Sequence, residues 1–177
     1  MYQFDKIETN LNFYDQLDRL GVQDILNHQA YQSPDFCNWF RVNQFLLDLV
    51  TNGNTKSALV YGDYDVDGIT SVTVLKSFLE ERGIQVNVYI PNRLNEGYGL
   101  NKTAMEEIAK QGNKLMITVD CGITAVDEVE YAKTFGIETI ITDHHEPAEE
   151  LPKAIAVVDA KRKDNKYECR NLAGVGV

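Results

Sequence analysis

The chain has 177 residues, 44% hydrophobic and 25% charged, a composition typical of one globular domain with a small annex. Its net charge of −10 disfavours nucleic-acid binding through a basic surface, although carboxylates that hold divalent cations contribute to such a count. No apolar run approaches the roughly 18 residues of a membrane span, no signal-peptide pattern is found, and the cysteines form no Cys-x-x-Cys pair. We therefore expect a cytoplasmic protein without a membrane partner.

Residues 1–56 carry most of the aromatic side chains and contain no strand-like run. Ser33-Pro34 is typical of a helix start, and the helix that follows places Phe36, Trp39 and Phe40 near one face. Aromatic residues at helical spacing are far more often packed in a core than stacked on nucleotide bases. We interpret residues 1–56 as a helical N-terminal extension.

From residue 57 onward, short apolar runs alternate with amphipathic stretches, which predicts an α/β domain with a doubly wound parallel sheet. Strands are predicted at 58–61, 84–90, 114–119, 137–142 and 154–158. Helices are predicted at 69–82, 101–111 and 124–135. The third helix is expected to begin with a capping box of Thr124 and Asp127, and to turn Val126, Val129, Ala132 and Phe135 inward.

Acidic residues and histidines follow three of the predicted strands. They are Asp63, Asp65 and Asp67 after the first strand, Asp120 after the third, and Asp143, His144 and His145 after the fourth. The carboxyl ends of the strands form the ligand crevice of an open parallel sheet, so these side chains can meet there. The pattern indicates a site for more than one divalent metal.

Three aspartates at alternate positions exceed what helix capping needs, and in an extended segment they would lie on one side. The EF-hand pattern does not fit, because a strand enters the motif. Carboxylates combined with neutral imidazole suit manganese, iron or zinc better than calcium, and Mn²⁺ fits this oxygen-rich mixture well. Asp143 is a candidate acceptor that fixes the tautomer of a histidine.

Five motifs together resemble the DHH phosphoesterase superfamily and, within it, the RecJ branch of single-strand-specific 5′ to 3′ exonucleases. They are GDYDVDG at 62–68, NEGYGL at 95–100, DCG at 120–122, TDHH at 142–145 and LAGVGV at 172–177. The pyrophosphatase branch would have a histidine where this chain has Tyr61, and the Asn-Pro-Asp opening of the oligoribonuclease branch is absent.

The resemblance implies a metal-dependent exonuclease on single-stranded DNA that acts in DNA repair and recombination, with other repair proteins as further partners. It implies two divalent ions, Mn²⁺ first and Mg²⁺ as the alternative, which activate water and neutralise the scissile phosphate. The residue roles that it implies are metal binding by Asp65, Asp67, Asp120 and His144, with Asp63 as a ligand or a support for one; catalysis by Asp67 and His145; and substrate contact by Arg93, Tyr98 and His145.

The family pattern continues to a further aspartate ligand and a second domain, so we expect residues 57–177 to be a DHH domain incomplete at its C-terminus. Asp159-Ala160-Lys161 also stands where the family commonly has Asn-Pro-Lys. The alternatives are another DHH phosphoesterase, acting on oligoribonucleotides, cyclic dinucleotides or pyrophosphate; a phosphorelay receiver; and a binding module that has lost its chemistry.

Overall fold

The computed structural model describes residues 57–164 and 170–177, so the predicted N-terminal helical extension lies outside the described residues. The strands are β1 (Ser57–Gly62), β2 (Gln85–Tyr89), β3 (Leu115–Val119), β4 (Glu138–Asp143) and β5 (Ala156–Asp159). The helices are α1 (Val66–Glu80), α2 (Lys102–Lys110) and α3 (Val126–Thr134), followed by a short 3₁₀ helix, Gly174–Gly176.

The five strands form one sheet in the order β2-β1-β3-β4-β5, and every neighbouring pair is parallel. This arrangement confirms the predicted doubly wound fold. The chain leaves β1 toward β2 on one side and returns to β3 on the other, so the strand order reverses between β1 and β3. Ligands of such sheets bind outside the carboxyl ends of the strands at this switch point.

Each face of the sheet has its own apolar core. On one face, Val60, Ile117 and Ile140 pack with Val72 and Leu79 of α1. On the other face, Leu59, Met116 and Ile141, which alternate with these strand residues, pack in one cluster with Met105 of α2 and Val129 of α3. Covering both faces removes water from the backbone of the central strands and fixes the positions of their carboxyl ends. Within the described ranges, no helix has the length and apolarity needed to cross a membrane.

Helix α1 begins at Val66, three residues earlier than predicted. Asp65 is its N-cap, with an extended backbone and a side chain that accepts a hydrogen bond from the Gly68 N–H at 2.9 Å. Asp67 consequently lies in the first helical turn. The segment is therefore not extended throughout, and the condition under which Asp63, Asp65 and Asp67 would lie on one side is not met.

The predicted capping box at Thr124 is also wrong. Helix α3 has Ala125 as its N-cap and no side-chain capping bond, because residues 122–126 form tight turns closed by backbone hydrogen bonds. Val129 and Ala132 of the predicted inner face are buried, whereas Phe135 follows the last helical residue and is 36% exposed.

Candidate metal centre

The turn from β1 into α1 brings Asp63 and Asp65 to the carboxyl end of the sheet. Asp63 is only 1% exposed, whereas Asp65 is exposed at the helix cap. The turn is tight enough that a Cβ on Gly68 would lie 2.4 Å from the Asp63 carbonyl oxygen. Glycine at 68 therefore allows α1 to start directly over Asp63.

Asp120 occupies the corresponding place at the end of β3. Its backbone has a φ of 60°, in the left-handed region, and its N–H donates to the Thr142 carbonyl at 3.1 Å. A non-glycine residue in this region is uncommon and occurs often at functional sites. The side chain of Asp120 is buried, and its Oδ1 lies 2.9 Å from Nε2 of His144.

Two groups of side chains at this edge are close enough to share metal ions. One oxygen each from Asp63, Asp65 and Asp120 lie within 4.8 Å of one another, and the same holds for one atom each of Asp120, His144 and His145. Asp120 belongs to both groups. Its side chain is therefore within reach of both sets of candidate ligands.

Asp67 approaches the second group from α1. Its Oδ2 lies 3.6 Å from His144 Nε2, and its two oxygens accept hydrogen bonds from the N–H groups of Gly174 at 2.7 Å and Val175 at 3.0 Å. The structure thus brings Asp67 to the site, but its carboxylate is already held by the backbone of the 3₁₀ helix.

The adjacent histidines have different partners. Nδ1 of His144 lies 2.8 Å from the Leu172 carbonyl oxygen, which can only accept, so Nδ1 carries the proton and Nε2 faces Asp120 and Asp67. Nδ1 of His145 lies 2.7 Å from Oδ1 of Asp143, and its ring edge lies 3.1–3.2 Å from the Tyr98 hydroxyl.

Asp143 is buried and is fully used as an acceptor. Its Oδ2 accepts from the Ile123 N–H at 2.9 Å, and its Oδ1 accepts from the N–H groups of His144 at 2.7 Å and His145 at 3.2 Å. Together with the Nδ1 contact, these bonds orient the His145 ring. This is the arrangement that the predicted supporting role of Asp143 requires.

Residues 92–100 form a loop that is tied to the ends of β1 and β2. Glu96 accepts from the Asn92 N–H at 2.6 Å and from the Tyr89 hydroxyl at 2.5 Å, and these bonds lower the pKa of its carboxyl. The loop presents Tyr98 to the site. It also places the Arg93 guanidinium 5.3 Å from the centre of the Tyr64 ring, beside the aspartate turn.

Burial and mutual repulsion raise the pKa values of two aspartates. Burial is the main cause for Asp120, and the neighbouring Asp67 and Asp65 add to it, so that its pKa rises to about 6. Burial also raises the pKa of Asp63, with a further contribution from Asp65. Carboxylates that destabilise one another in this way are stabilised by a bound cation.

The donor set fits divalent metals. Among the described residues, the buried Oδ1 of Asp63 has no hydrogen-bond partner, which is costly unless a cation occupies the space beside it. Carboxylate oxygens with one or two imidazole nitrogens suit Mn²⁺ or Zn²⁺ better than Ca²⁺.

Sequence reasoning missed the contacts made by residues 172–175. Only the motif resemblance pointed to this region, because backbone N–H and carbonyl groups have no side-chain signature. It also gave no role to Asp159, which is 1% exposed at the end of β5 and stands in register with Asp143.

The model of the DHH family N-terminal domain matches residues 57–177, which contain every residue of this site. The chain belongs to the DHH family. It is 50% identical, over 119 residues, to the single-stranded-DNA-specific exonuclease RecJ of Bacillus subtilis, an alignment that covers 67% of this chain and 15% of that protein. The chain therefore spans only a small part of the length of this relative.

Two solved structures of RecJ proteins are similar to this fold. One is bound to manganese and matches with a TM-score of 0.67 and 35% identity, over 77% of this chain and 34% of that one. The other, RecJ from Thermus thermophilus in complex with Mn²⁺, matches with a TM-score of 0.60 and 31% identity, over 77% of this chain and 19% of that one. These matches confirm the resemblance to the RecJ branch that the motifs indicated.

Proposed function

We propose that the protein is a Mn²⁺-dependent 5′ to 3′ exonuclease on single-stranded DNA, with residues 57–177 supplying most of the metal centre. The observation that carries the proposal is the meeting of Asp63, Asp65 and Asp120 within 4.8 Å at the switch point of the sheet, beside His144 and His145. The matched RecJ proteins, two of which are bound to manganese, support the same activity.

The negative charge of the site favours the binding of a cation over the binding of a phosphate group. Four aspartates at 63, 65, 67 and 120 would repel a phosphodiester, and the whole chain carries a net charge of −10. Two divalent ions would bring four positive charges to this point and reverse the local field. The acidic composition is therefore compatible with a nucleic-acid substrate.

In this proposal Asp65, Asp67, Asp120 and His144 hold the ions, and Asp63 is a ligand or holds one in place. When bound, the ions would lower the pKa of water and neutralise the scissile phosphate. The protein contributes the fixed orientation of the ligands. Asp67 belongs both to the metal centre and to the catalytic set.

His145 is assigned a contact with the phosphate or a proton transfer. Asp143 accepts from its Nδ1–H, which leaves Nε2 as an acceptor beside the Tyr98 hydroxyl. A histidine held in one tautomer by a carboxylate is suited to take or give a proton at the opposite nitrogen. Arg93 and Tyr98, both on the 92–100 loop, are assigned to holding the substrate strand.

The test uses the protein expressed from its natural start codon to its natural stop codon. Single-stranded DNA labelled at either end is incubated with Mn²⁺, beside the variants Asp65→Ala and His144→Ala. Glu138→Ala is the matched control, because Glu138 is an exposed acid at the amino end of β4, opposite the site. We expect mononucleotide release from 5′ ends by wild type and Glu138→Ala, and loss of release in the other two variants.

Equal cleavage by wild type, Asp65→Ala and His144→Ala would refute the proposal. Faster cleavage of oligoribonucleotides, cyclic dinucleotides or pyrophosphate than of DNA would assign the protein to another DHH phosphoesterase activity. An absence of all cleavage with retained DNA binding would indicate a binding module. Membership of the DHH family already removes the phosphorelay receiver from these alternatives.

The proposal includes a cytoplasmic location and a role in DNA repair and recombination with other repair proteins as partners. Cell fractionation tests the location. Sensitivity of a deletion strain to DNA damage, with rescue by wild type and not by His144→Ala, tests the role.

A further inference from the structure

Residues 172–175 lie against the metal centre although they are more than 100 residues from the first aspartate motif. Two successive N–H groups, of Gly174 and Val175, donate to the two oxygens of Asp67 at 2.7 and 3.0 Å. Hydrogen bonds from N–H groups to a charged carboxylate are among the stronger ones in proteins. They hold the Asp67 side chain in one orientation and leave further lone pairs on both oxygens.

The same segment holds His144. The Leu172 carbonyl lies 2.8 Å from Nδ1 of His144 and can only accept a hydrogen bond, so this nitrogen carries the proton. Nε2 is consequently turned toward Asp120 Oδ1 at 2.9 Å and Asp67 Oδ2 at 3.6 Å. A histidine binds a metal through an unprotonated nitrogen, and the partner of its other nitrogen decides which one that is.

Gly174 also touches Asp120. A Cβ added to Gly174 would lie 2.5 Å from Oδ1 and 2.8 Å from Cβ and Cγ of Asp120. These distances are shorter than carbon and oxygen atoms tolerate, so only glycine permits the segment to lie so close. Residues 172–175 thus contact Asp67, Asp120 and His144, three of the residues assigned to metal binding.

We propose that the backbone of residues 172–175 is a positioning element of the metal centre, which sets the orientation of Asp67, keeps a proton on Nδ1 of His144 and so leaves Nε2 as the nitrogen available to a metal. This inference rests on the proposed function for the identity of the metal ligands. The segment does more than pack against the domain, because it contacts proposed ligands and orients both a carboxylate, that of Asp67, and an imidazole, that of His144.

The chain offers a matched pair of glycines for the test. Gly174→Ala would push the segment away from Asp120, whereas a Cβ on Gly176 would meet only Leu172 atoms at 3.6 Å, an ordinary contact. Neither glycine has a positive φ, so alanine adds no backbone strain at either position. The two variants therefore differ mainly in their effect on the centre.

The first measurement is NMR of the metal-free protein, which follows the Nδ1–H proton of His144. An imidazole N–H that donates to a carbonyl is protected from exchange with water, so we expect a signal in wild type and Gly176→Ala and its loss in Gly174→Ala. The second measurement is calorimetric titration with Mn²⁺ alone. Loss of the support behind ligands typically weakens metal binding about 10- to 100-fold, and we expect this for Gly174→Ala only.

Val175→Pro is the second variant, for the case in which Gly174→Ala does not fold. It removes the N–H that donates to Asp67. It adds no atom at Gly174, so nothing is inserted where Gly174 lies close to Asp120. We expect weaker Mn²⁺ binding than in Gly176→Ala. Folding of each variant is checked by thermal unfolding.

A folded Gly174→Ala or Val175→Pro with the Mn²⁺ affinity of Gly176→Ala would overturn the inference, as would a His144 signal that persists in Gly174→Ala. These results are separate from the exonuclease assay. The Nδ1–H signal requires neither metal nor DNA, so it tests the positioning element even if the proposed nuclease activity fails.

Discussion

His144 and His145 are adjacent in sequence, yet they belong to two differently built halves of the site. The His144 half is held by backbone groups from a distant segment and faces Asp67 and Asp120. The His145 half is held by the buried Asp143 and faces Tyr98 on a surface loop, with 44% of the His145 side chain exposed. Both rings are oriented through Nδ1, but the free nitrogens point to different neighbours.

The difference separates two chemical tasks. A ring that faces carboxylates, with its proton fixed on the far nitrogen, is prepared to bind a cation. A ring that is supported by a carboxylate and exposed at the crevice is prepared to contact a phosphate or move a proton. Variants in each half test whether the two halves differ in function as they differ in their hydrogen-bond partners.

His144→Ala and His145→Ala should differ most. Removing His144 deletes a proposed ligand, so we expect Mn²⁺ affinity to fall by about 100-fold or more. Removing His145 should leave Mn²⁺ affinity nearly unchanged and lower the cleavage rate by about 10² to 10⁴-fold. Calorimetry and single-turnover cleavage of single-stranded DNA check the two effects. Equal loss of Mn²⁺ affinity in both variants would show that both rings are ligands.

Asp143→Asn should destabilise the fold around the His145 half. An amide has only one acceptor oxygen, so at least one buried N–H among those of Ile123, His144 and His145 would face an NH₂ group. We expect the free energy of unfolding in urea to fall by about 1–3 kcal/mol. Glu138→Gln, at an exposed acid, is the control and should change it little. A stability equal to wild type would mean that Asp143 is not the shared acceptor.

Asp159→Asn should stabilise the metal-free protein in a pH-dependent way. Burial raises the folded-state pKa of Asp159 to about 6, above the unfolded value of about 3.9, although the Lys161 N–H opposes the shift. Below about pH 4 the carboxyl is protonated in both the folded and the unfolded protein, so its burial has no electrostatic cost. The free energy of unfolding then falls as the pH rises through about 6. The neutral amide avoids this loss and keeps an acceptor for the Lys161 N–H.

The gain from Asp159→Asn in the free energy of unfolding should be near zero at pH 4 and about 1–2 kcal/mol at pH 7.5. Urea unfolding at several pH values measures it. A gain that does not depend on pH would show that Asp159 does not ionise in this range.

Tyr98→Phe should have the smallest effect. Burial, followed by the charge of Asp143, raises the pKa of the Tyr98 hydroxyl, so the group stays protonated and can only assist as a donor or acceptor. The loss of one partly exposed hydrogen bond to His145 is worth about 1 kcal/mol, or about fivefold in kcat/KM. Steady-state cleavage of single-stranded DNA measures it. A loss of 10³-fold or more would instead make this hydroxyl the proton donor.

The sequence was sufficient to predict the sheet and the edge at which the site lies. Each observed strand lies within about two residues of its predicted range, because the central strands are apolar runs and β2 alternates apolar with polar residues. The acids at 63, 120 and 143 follow those runs directly. Their meeting is a consequence of parallel topology and did not require a structure.

The remaining features depend on tertiary contacts that leave no mark on the sequence. The tight turn that begins α3 has no capping side chain. Helix α1 begins three residues before its predicted start because Asp65 is its N-cap. Val88 is 40% exposed although it lies within a strand, because β2 is at the edge of the sheet. The contacts of residues 172–175 involve backbone atoms, which a side-chain pattern cannot indicate.

In the proposed metal centre, the strand-end acids and His144 hold divalent ions. Anomalous diffraction from crystals of the protein grown with Mn²⁺ tests it most directly. We expect manganese peaks within coordination distance of Asp120, with His144 Nε2 as a ligand of one ion and no ion coordinated by His145. Manganese bound elsewhere, or an Asp120 and His144 pair that stays within hydrogen-bonding distance with no peak beside it, would contradict the proposed metal centre.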